Sequence, residues 1–498
     1  MLFNSALYGI FLFSAYVVFW ALRTQKRLRA AFLALASYGF YFYGTYDAAA
    51  NDGAPLSPFA WAVLCLGIIF VGSTLDFWLA QVLHRTETPW QRKALLCVSV
   101  FYYLGILALF KYYDFAAGSI AAAASAAGLS FHPALLHLVL PFGISFFTFE
   151  TMSYTIDVYR RELEPSRNYI DYLLFVSFFP HLVAGPIVRP AQMLPQLEAV
   201  PVADARQMSD GLFLIAKGLT KKIAIGDYLA QNLVGRVFDN PGLHSPLEVW
   251  VGVYAYAFQI YADFSGYTDV ALGSAKLFGY ELPQNFDRPY QSLDLQEFWR
   301  RWHISLSSWL RDYLYIPLGG SRGSSFLTYR NLMITMVLGG LWHGASWNFV
   351  IWGVLHGGAL GFTRAYQRRK SAPKSTDDTS PTARAWRVVC LIGTFHYVCF
   401  AWIFFRAKTL SGALAVAAHA GRAVLDPLAA SPNLTPRVCL VLAVAGLAHF
   451  TPRDWRERVR VQFASCPASL QGLALAAFAY GLHFVATQKS EPFVYGQF

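Results

Sequence analysis

An all-helical, polytopic integral membrane protein is the fold class this sequence predicts, and three observations predict it. Of its 498 residues 56% are hydrophobic, 17% aromatic and only 14% charged, with a mean hydropathy of +0.38. A soluble chain of this length needs more charge to cover its surface. Apolar runs long enough to cross a bilayer recur from one end to the other, and helices satisfy their own backbone in hydrocarbon. The basic residues alternate between loops: Arg23, Lys26, Arg27 and Arg29 follow the first run, none lies near Asp47, Asn51 and Asp52, and His84, Arg85, Arg92 and Lys93 follow the third. That alternation fits the positive-inside rule with the N-terminus outside.

The first helix is read over about Leu2 to Leu22, without the basic start of a cleaved signal peptide. Further helices are expected at about Ala30 to Tyr46, Trp61 to Leu83 and on to Phe110, then an Ala-rich piece from Ala116 to Gly128. PFGISFFTFETMSYTIDVYRR (141–161) reads as an apolar helix ending at a basic pair. FVSFFPHLVAGPIVRP (175–190) breaks itself with Pro180, Gly185, Pro186 and Pro190, so it reads as a re-entrant or kinked element. His181 inside it is either a ligand contact or a satisfied structural histidine. Residues 208–240 form an amphipathic stretch whose Lys217, Lys221 and Lys222 suit an interfacial helix with snorkelling lysines. The apolar helix over 247–280 carries Asp263 and Asp269, which are costly unless paired. Either a hydrogen-bond network or an ion-coupled polysaccharide or lipid transporter would use them.

The net charge of +11 is spread over loops between apolar runs, which points to topology and contact with membrane lipids. No zinc-finger spacing or RNA-binding signature is present, so nucleic acid is excluded as a partner. The six cysteines form no C-x-x-C pair and read as small core residues.

The most unusual chemistry lies in 285–361. From Leu295 on, Phe298, Trp302, Ser305, Trp309 and Tyr313 recur at intervals of three and four, predicting one continuous helix with an aromatic face. On such a helix Arg300 and Arg311 fall on nearly the same side. Glu297 is placed to pair with Arg300 or Arg301. The next apolar segments carry His343 and His356 in their interior, and Gly339-Gly340 and Gly344 let backbone approach closely around His343. A histidine at hydrocarbon depth marks a proton-handling or ligand site. His343 is taken as the reaction centre and His303 as its helper. Arg364, Arg368, Arg369 and Lys370 then mark a cytoplasmic exit, followed by a polar linker.

PFGISFFTFE (141–150), FFPHLVAGP (178–186), YADFSGYTD (261–269), NFDRPY (285–290), EFWRRWHISLSSWLRDYLYIPLGG (297–320) and GGLWHG (339–344) together resemble the membrane-bound O-acyltransferase (MBOAT) family. They are closest to its bacterial branch of alginate O-acetylation proteins (AlgI-like), which is related to the teichoic-acid D-alanylation proteins (DltB). The closing PFVYGQF is similar to the family's ending, with Gly496 where an aromatic is expected. The resemblance implies an MBOAT fold of about eleven transmembrane helices, with re-entrant and interfacial helices around a central tunnel. It implies one transmembrane domain over 1–498: N-terminal helices (1–135), catalytic core (136–365), cytoplasmic linker (366–385) and C-terminal helices (386–498).

The function implied is O-acetyl transfer at the bacterial inner membrane, from a cytoplasmic donor, acetyl-CoA, to an extracytoplasmic polysaccharide such as alginate. D-alanyl transfer to teichoic acid is the nearest alternative. No bound cofactor or metal is expected; acetyl-CoA is a co-substrate. In this reading His343 takes the hydroxyl proton, since histidine is poised for that near neutral pH. His303 orients the donor or stabilises the oxyanion. Arg300, Arg301, Arg311 and Lys222 are the candidate rim for the anionic donor, and His181, Trp342 and His356 line or support the tunnel. No G-x-S-x-G elbow occurs, so a covalent serine intermediate is not indicated. The acetyl acceptor is the glycan itself or a periplasmic SGNH-type acetyltransferase that completes delivery.

Overall fold

The structure is a computed structural model that describes residues 3–183, 185–202, 204–369, 380–426 and 429–486. Residues 370–379 of the expected cytoplasmic linker and the closing PFVYGQF lie outside the described residues. All regular structure among the described residues is helical, with no strand. They form two compact units, Met1–Ile215 with Val270–Pro283, and Ala216–Asp269 with Gln284–Phe498.

In the first unit the helices start where the sequence supplies caps. Ser5 Oγ accepts the Tyr8 N–H before Ala6–Ala21, and Ser57 Oγ accepts the Ala60 N–H before Pro58–Arg85, with proline in its first turn. The second helix, Lys26–Asp52, runs through the acidic stretch expected to be a loop. It stops at Gly53, whose φ of +71° only glycine adopts without cost. Pro89–Leu107 continues through a π-helical turn (Ala108–Tyr112) into Tyr113–Ala126, so the Ala-rich piece extends the preceding helix. Ile144–Arg160 is buried on nearly every face and forms the centre of this unit.

The proline-broken segment is a genuine break. Tyr169–Ser177 ends at Phe178, a single turn follows at Phe179–Leu182, and the next helix is Pro190–Glu198. The freed backbone finds buried partners: Ser37 Oγ accepts from Phe179 N–H at 3.2 Å, and Glu150 Oε1 from Val188 N–H at 3.0 Å. Irregular backbone in an apolar interior survives on such terms.

In the second unit a π-helical segment, Thr220–Asp227, precedes the long helix Pro246–Leu277, whose last turns belong to the first unit. Ser325–His343 and Trp347–Arg369 then pack backbone to backbone. A Cβ on Gly340 would sit 2.3 Å from the Phe349 carbonyl oxygen, and one on Gly353 would sit 2.5 Å from that of Met336. Small residues at a helix crossing permit this approach, as the glycines around His343 predict. The C-terminal helices are Pro381–Arg406, Leu410–Gly421, Pro436–Phe450, Arg453–Ser465 and Ala468–Val485. Over the described residues four helical stretches are long and apolar enough to cross a membrane: Pro58–Arg85, Pro89–Ala126, Pro381–Arg406 and Ala468–Val485.

Candidate active site

The stretch expected to be one continuous helix from Leu295 is interrupted. Leu295–Arg301 begins with a reciprocal cap, in which Asp294 Oδ1 accepts the Glu297 N–H and Glu297 Oε2 accepts the Leu293 N–H, both at 2.8 Å. It ends before Trp302, and a second short helix runs from Ile304 to Leu310. His303 sits between them at φ +43°, a conformation costly for a non-glycine residue. The NFDRPY loop holds it there. The Asn285 carbonyl accepts the Ile304 N–H at 2.9 Å, and the Arg301 carbonyl accepts the Asp287 N–H at 2.9 Å.

The Asn285 side chain also settles the chemistry of His303. Its Oδ1 accepts the Ser305 N–H at 3.2 Å and the Ser305 hydroxyl at 2.7 Å, so that atom is the amide oxygen. The same oxygen lies 3.2 Å from His303 Nδ1, which must therefore be the protonated nitrogen. A neutral His303 carries its lone pair on Nε2. The ring is fully buried, edge-on to Phe264 with centroids 4.6 Å apart and 6.0 Å from Trp342.

His343 is the last residue of its helix, which ends at Gly344. It is 3% exposed, and its ring centroid lies 5.0 Å from Trp342, 5.2 Å from Trp352 and 5.1 Å from Phe405. Access to His343 therefore requires this aromatic wall to part. Trp342 touches both His303 and His343, so one ring bridges the two histidines marked by the sequence. His356, also fully buried, lies 4.5 Å from Trp352 and accepts at Nδ1 the indole N–H of Trp299, at 3.3 Å. His303, Trp342, His343 and His356 thus share one aromatic cluster.

The predicted cations separate. Arg300 lines an open pocket of about 510 Å³ together with Gln296, Trp299, Leu360, Arg364, Gln367 and Arg368. Arg301 pairs instead with Glu297, four residues back on its own helix. Arg311 follows the break and a π-helical turn begins with it, so it is not on the Arg300 face of one helix; it pairs with Asp312 at 2.7 Å and is largely exposed. Lys222 is buried between Asp227 and Asp263, each at 2.6 Å. Lys217 and Lys221 bind Asp269 at 3.0 and 2.6 Å. These lysines do not snorkel from an interfacial helix. Gly266 brings the two segments together, since a Cβ there would lie 2.7 Å from the Gly218 carbonyl oxygen.

In the sequence Arg364 and Arg368 mark only a cytoplasmic exit. Their spacing with Leu360 and Gln367 puts all four on one helical face, a signal the sequence did contain. His181 belongs to the first unit, where its Nδ1 lies 3.0 Å from Glu150 Oε1 with both side chains fully buried. Among the described residues no three His, Cys, Asp or Glu side chains group as ligands of a metal ion would.

The family model of MBOAT, the membrane-bound O-acyltransferase family, matches residues 13–406. A peptidoglycan O-acetyltransferase of Helicobacter pylori is 37% identical over 424 residues, 78% of this chain and 77% of that one. A probable alginate O-acetylase AlgI of Pseudomonas putida is 36% identical over 534 aligned positions, covering 100% of each chain. A teichoic acid D-alanyltransferase of Streptococcus thermophilus is 30% identical over 244 residues, 46% of this chain and 58% of that one.

Proposed function

This chain belongs to the membrane-bound O-acyltransferase family and is a multi-pass membrane acyltransferase, and from that premise we propose that it transfers acetyl groups from acetyl-CoA for O-acetylation of an extracytoplasmic polysaccharide. Acetyl is preferred to D-alanyl because the relatives named as O-acetylases align over far more of the chain than the D-alanyltransferase. The cell inner membrane is its place, and the donor approaches from the cytoplasm. The observation that carries the reading is the juxtaposition of His343, His303 and Trp342 in one buried cluster.

The chemistry follows from these groups. His343 takes the proton of the attacking hydroxyl while the hydroxyl oxygen adds to the thioester carbonyl. The tetrahedral intermediate collapses, the C–S bond breaks, and the departing thiolate recovers the proton from the imidazolium. His303 has its Nδ1–H committed to Asn285. That proton is therefore not available to the oxyanion, and of the two roles expected of His303 this supports orienting the donor. Arg300, Arg364 and Arg368 rim the pocket that takes the anionic donor head, in place of the Arg301, Arg311 and Lys222 expected from the sequence. A transporter loses its best support, because Asp263 and Asp269 are neutralised by lysines.

The test is transfer from labelled acetyl-CoA in reconstituted vesicles. His343→Ala is expected to lower the rate by about a hundredfold or more while leaving the fold intact by size-exclusion profile. Full activity of a well-folded His343→Ala protein would sink the assignment. The acceptor is the glycan or an exported SGNH-type acetyltransferase. Crosslinking in the native host separates these by whether such a partner is captured on the extracytoplasmic face.

A further inference from the structure

On the footing of the donor reading above, we propose that Trp302, Trp352 and His356 form a set of N–H donors that holds the amide carbonyls of an acyl-pantetheine arm as it passes from the arginine pocket to His343. All three side chains are fully buried. The indole nitrogens of Trp302 and Trp352 and the Nε2 of His356 have no hydrogen-bond partner among the described residues.

For His356 the protonation follows from its neighbour. An indole N–H is only ever a donor, so the Trp299 contact makes His356 Nδ1 the acceptor and leaves the proton of the neutral ring on Nε2. The cluster thus buries three donors, none of which meets an acceptor among the described residues. Buried N–H groups are normally paired, and a concentration of exceptions beside a reactive histidine marks what a ligand would complete.

The ligand's chemistry can be read from the donors. They are neutral and set among aromatic rings, which suits uncharged carbonyl oxygens and not phosphates. Phosphates belong with Arg300, Arg364 and Arg368, where the charge is. The two places are contiguous. Trp299 lines the pocket, and its ring lies 5.2 Å from His356 and 5.7 Å from Trp352. Trp352 in turn lies 5.2 Å from His343. A donor with an anionic head, a neutral arm bearing amides and a terminal thioester matches that sequence of surfaces. Trp302, Trp352 and His356 are positioning residues for the arm, distinct from the proton transfer at His343.

The test compares acetyl-CoA, S-acetyl-pantetheine and the amide-free S-ethyl thioacetate as donors, following thiol release by the full chain in reconstituted vesicles. Trp302→Phe and Trp352→Phe each remove one N–H and keep an aromatic ring. Each is expected to raise KM for acetyl-CoA and for S-acetyl-pantetheine about five- to tenfold, with kcat within about twofold and no change for S-ethyl thioacetate. Unchanged KM values for both amide-bearing donors in both variants would overturn the proposal alone, leaving those N–H groups to water. An equal rise with S-ethyl thioacetate would overturn it too, because packing rather than the arm would be responsible. Failure of the unsubstituted protein to use any thioester would instead overturn the donor reading, and this proposal with it.

Discussion

Two cationic regions of the second unit look alike in the sequence and behave in opposite ways in the structure. Lys217, Lys221 and Lys222 lie in one amphipathic stretch, and Arg300, Arg364 and Arg368 lie near the ends of helices. The lysines meet Asp227, Asp263 and Asp269 within 3.0 Å, so their charge is spent inside the protein. The arginines have no carboxylate partner among the described residues and line an open pocket. Among the described residues Arg368 gives its hydrogen bond to Ser325, and Gln367 takes up the Asp294 carboxylate nearby. A positive charge points to a ligand when its own chain leaves it uncompensated.

The contrast can be broken most forcefully at Asp263. Asp263→Ala leaves Lys222 buried with one carboxylate where it had two, and such losses destabilise by about 3–5 kcal/mol. A sharp fall in the thermal unfolding midpoint of the purified protein is expected; a midpoint equal to that of the unsubstituted protein would show the network to be dispensable. Helix crossing gives a comparable check on fold alone. Gly353→Val drives a side chain into the Met336 backbone and should cost at least about 2 kcal/mol, read as loss of folded protein after extraction.

The pocket side should respond in affinity and not in stability. Arg364→Ala is expected to raise KM for acetyl-CoA roughly fivefold, about 1 kcal/mol, with the unfolding midpoint unchanged. The unsubstituted protein should show KM rising with ionic strength, since the attraction is partly exposed to solvent. A salt-independent KM together with a neutral Arg364→Ala would remove the pocket from the donor's path. The smallest effect is expected at Arg311. Its partner Asp312 is adjacent and its side chain largely exposed, so Arg311→Ala should change stability by less than about 0.5 kcal/mol and leave KM alone. A large KM effect there would restore the continuous cationic face that the broken helix rules out.

Much of the architecture was legible because it depends on local pattern. The apolar runs and the proline-broken segment before Pro190 each appear where the residues place them. The helix runs through Asp47, past the expected loop, because its stop is Gly53 and the polar residues before it resemble a loop in composition alone. The break at His303 carries no local signal, since nothing in RRWHIS requires a left-handed residue. The instruction comes from Asn285, whose backbone and side chain reach across from the preceding loop.

By itself the sequence determined the fold class, the family and the candidate histidines, because hydropathy and long motifs are properties of neighbouring residues. Tertiary structure alone decided which cations are neutralised, which nitrogen of His303 holds the proton and which rings join His303, His343 and His356. Those outcomes depend on partners far apart along the chain, as with Lys221 and Asp269, 48 residues apart, or Trp299 and His356, 57 residues apart. Only packing in three dimensions brings such groups within hydrogen-bond reach.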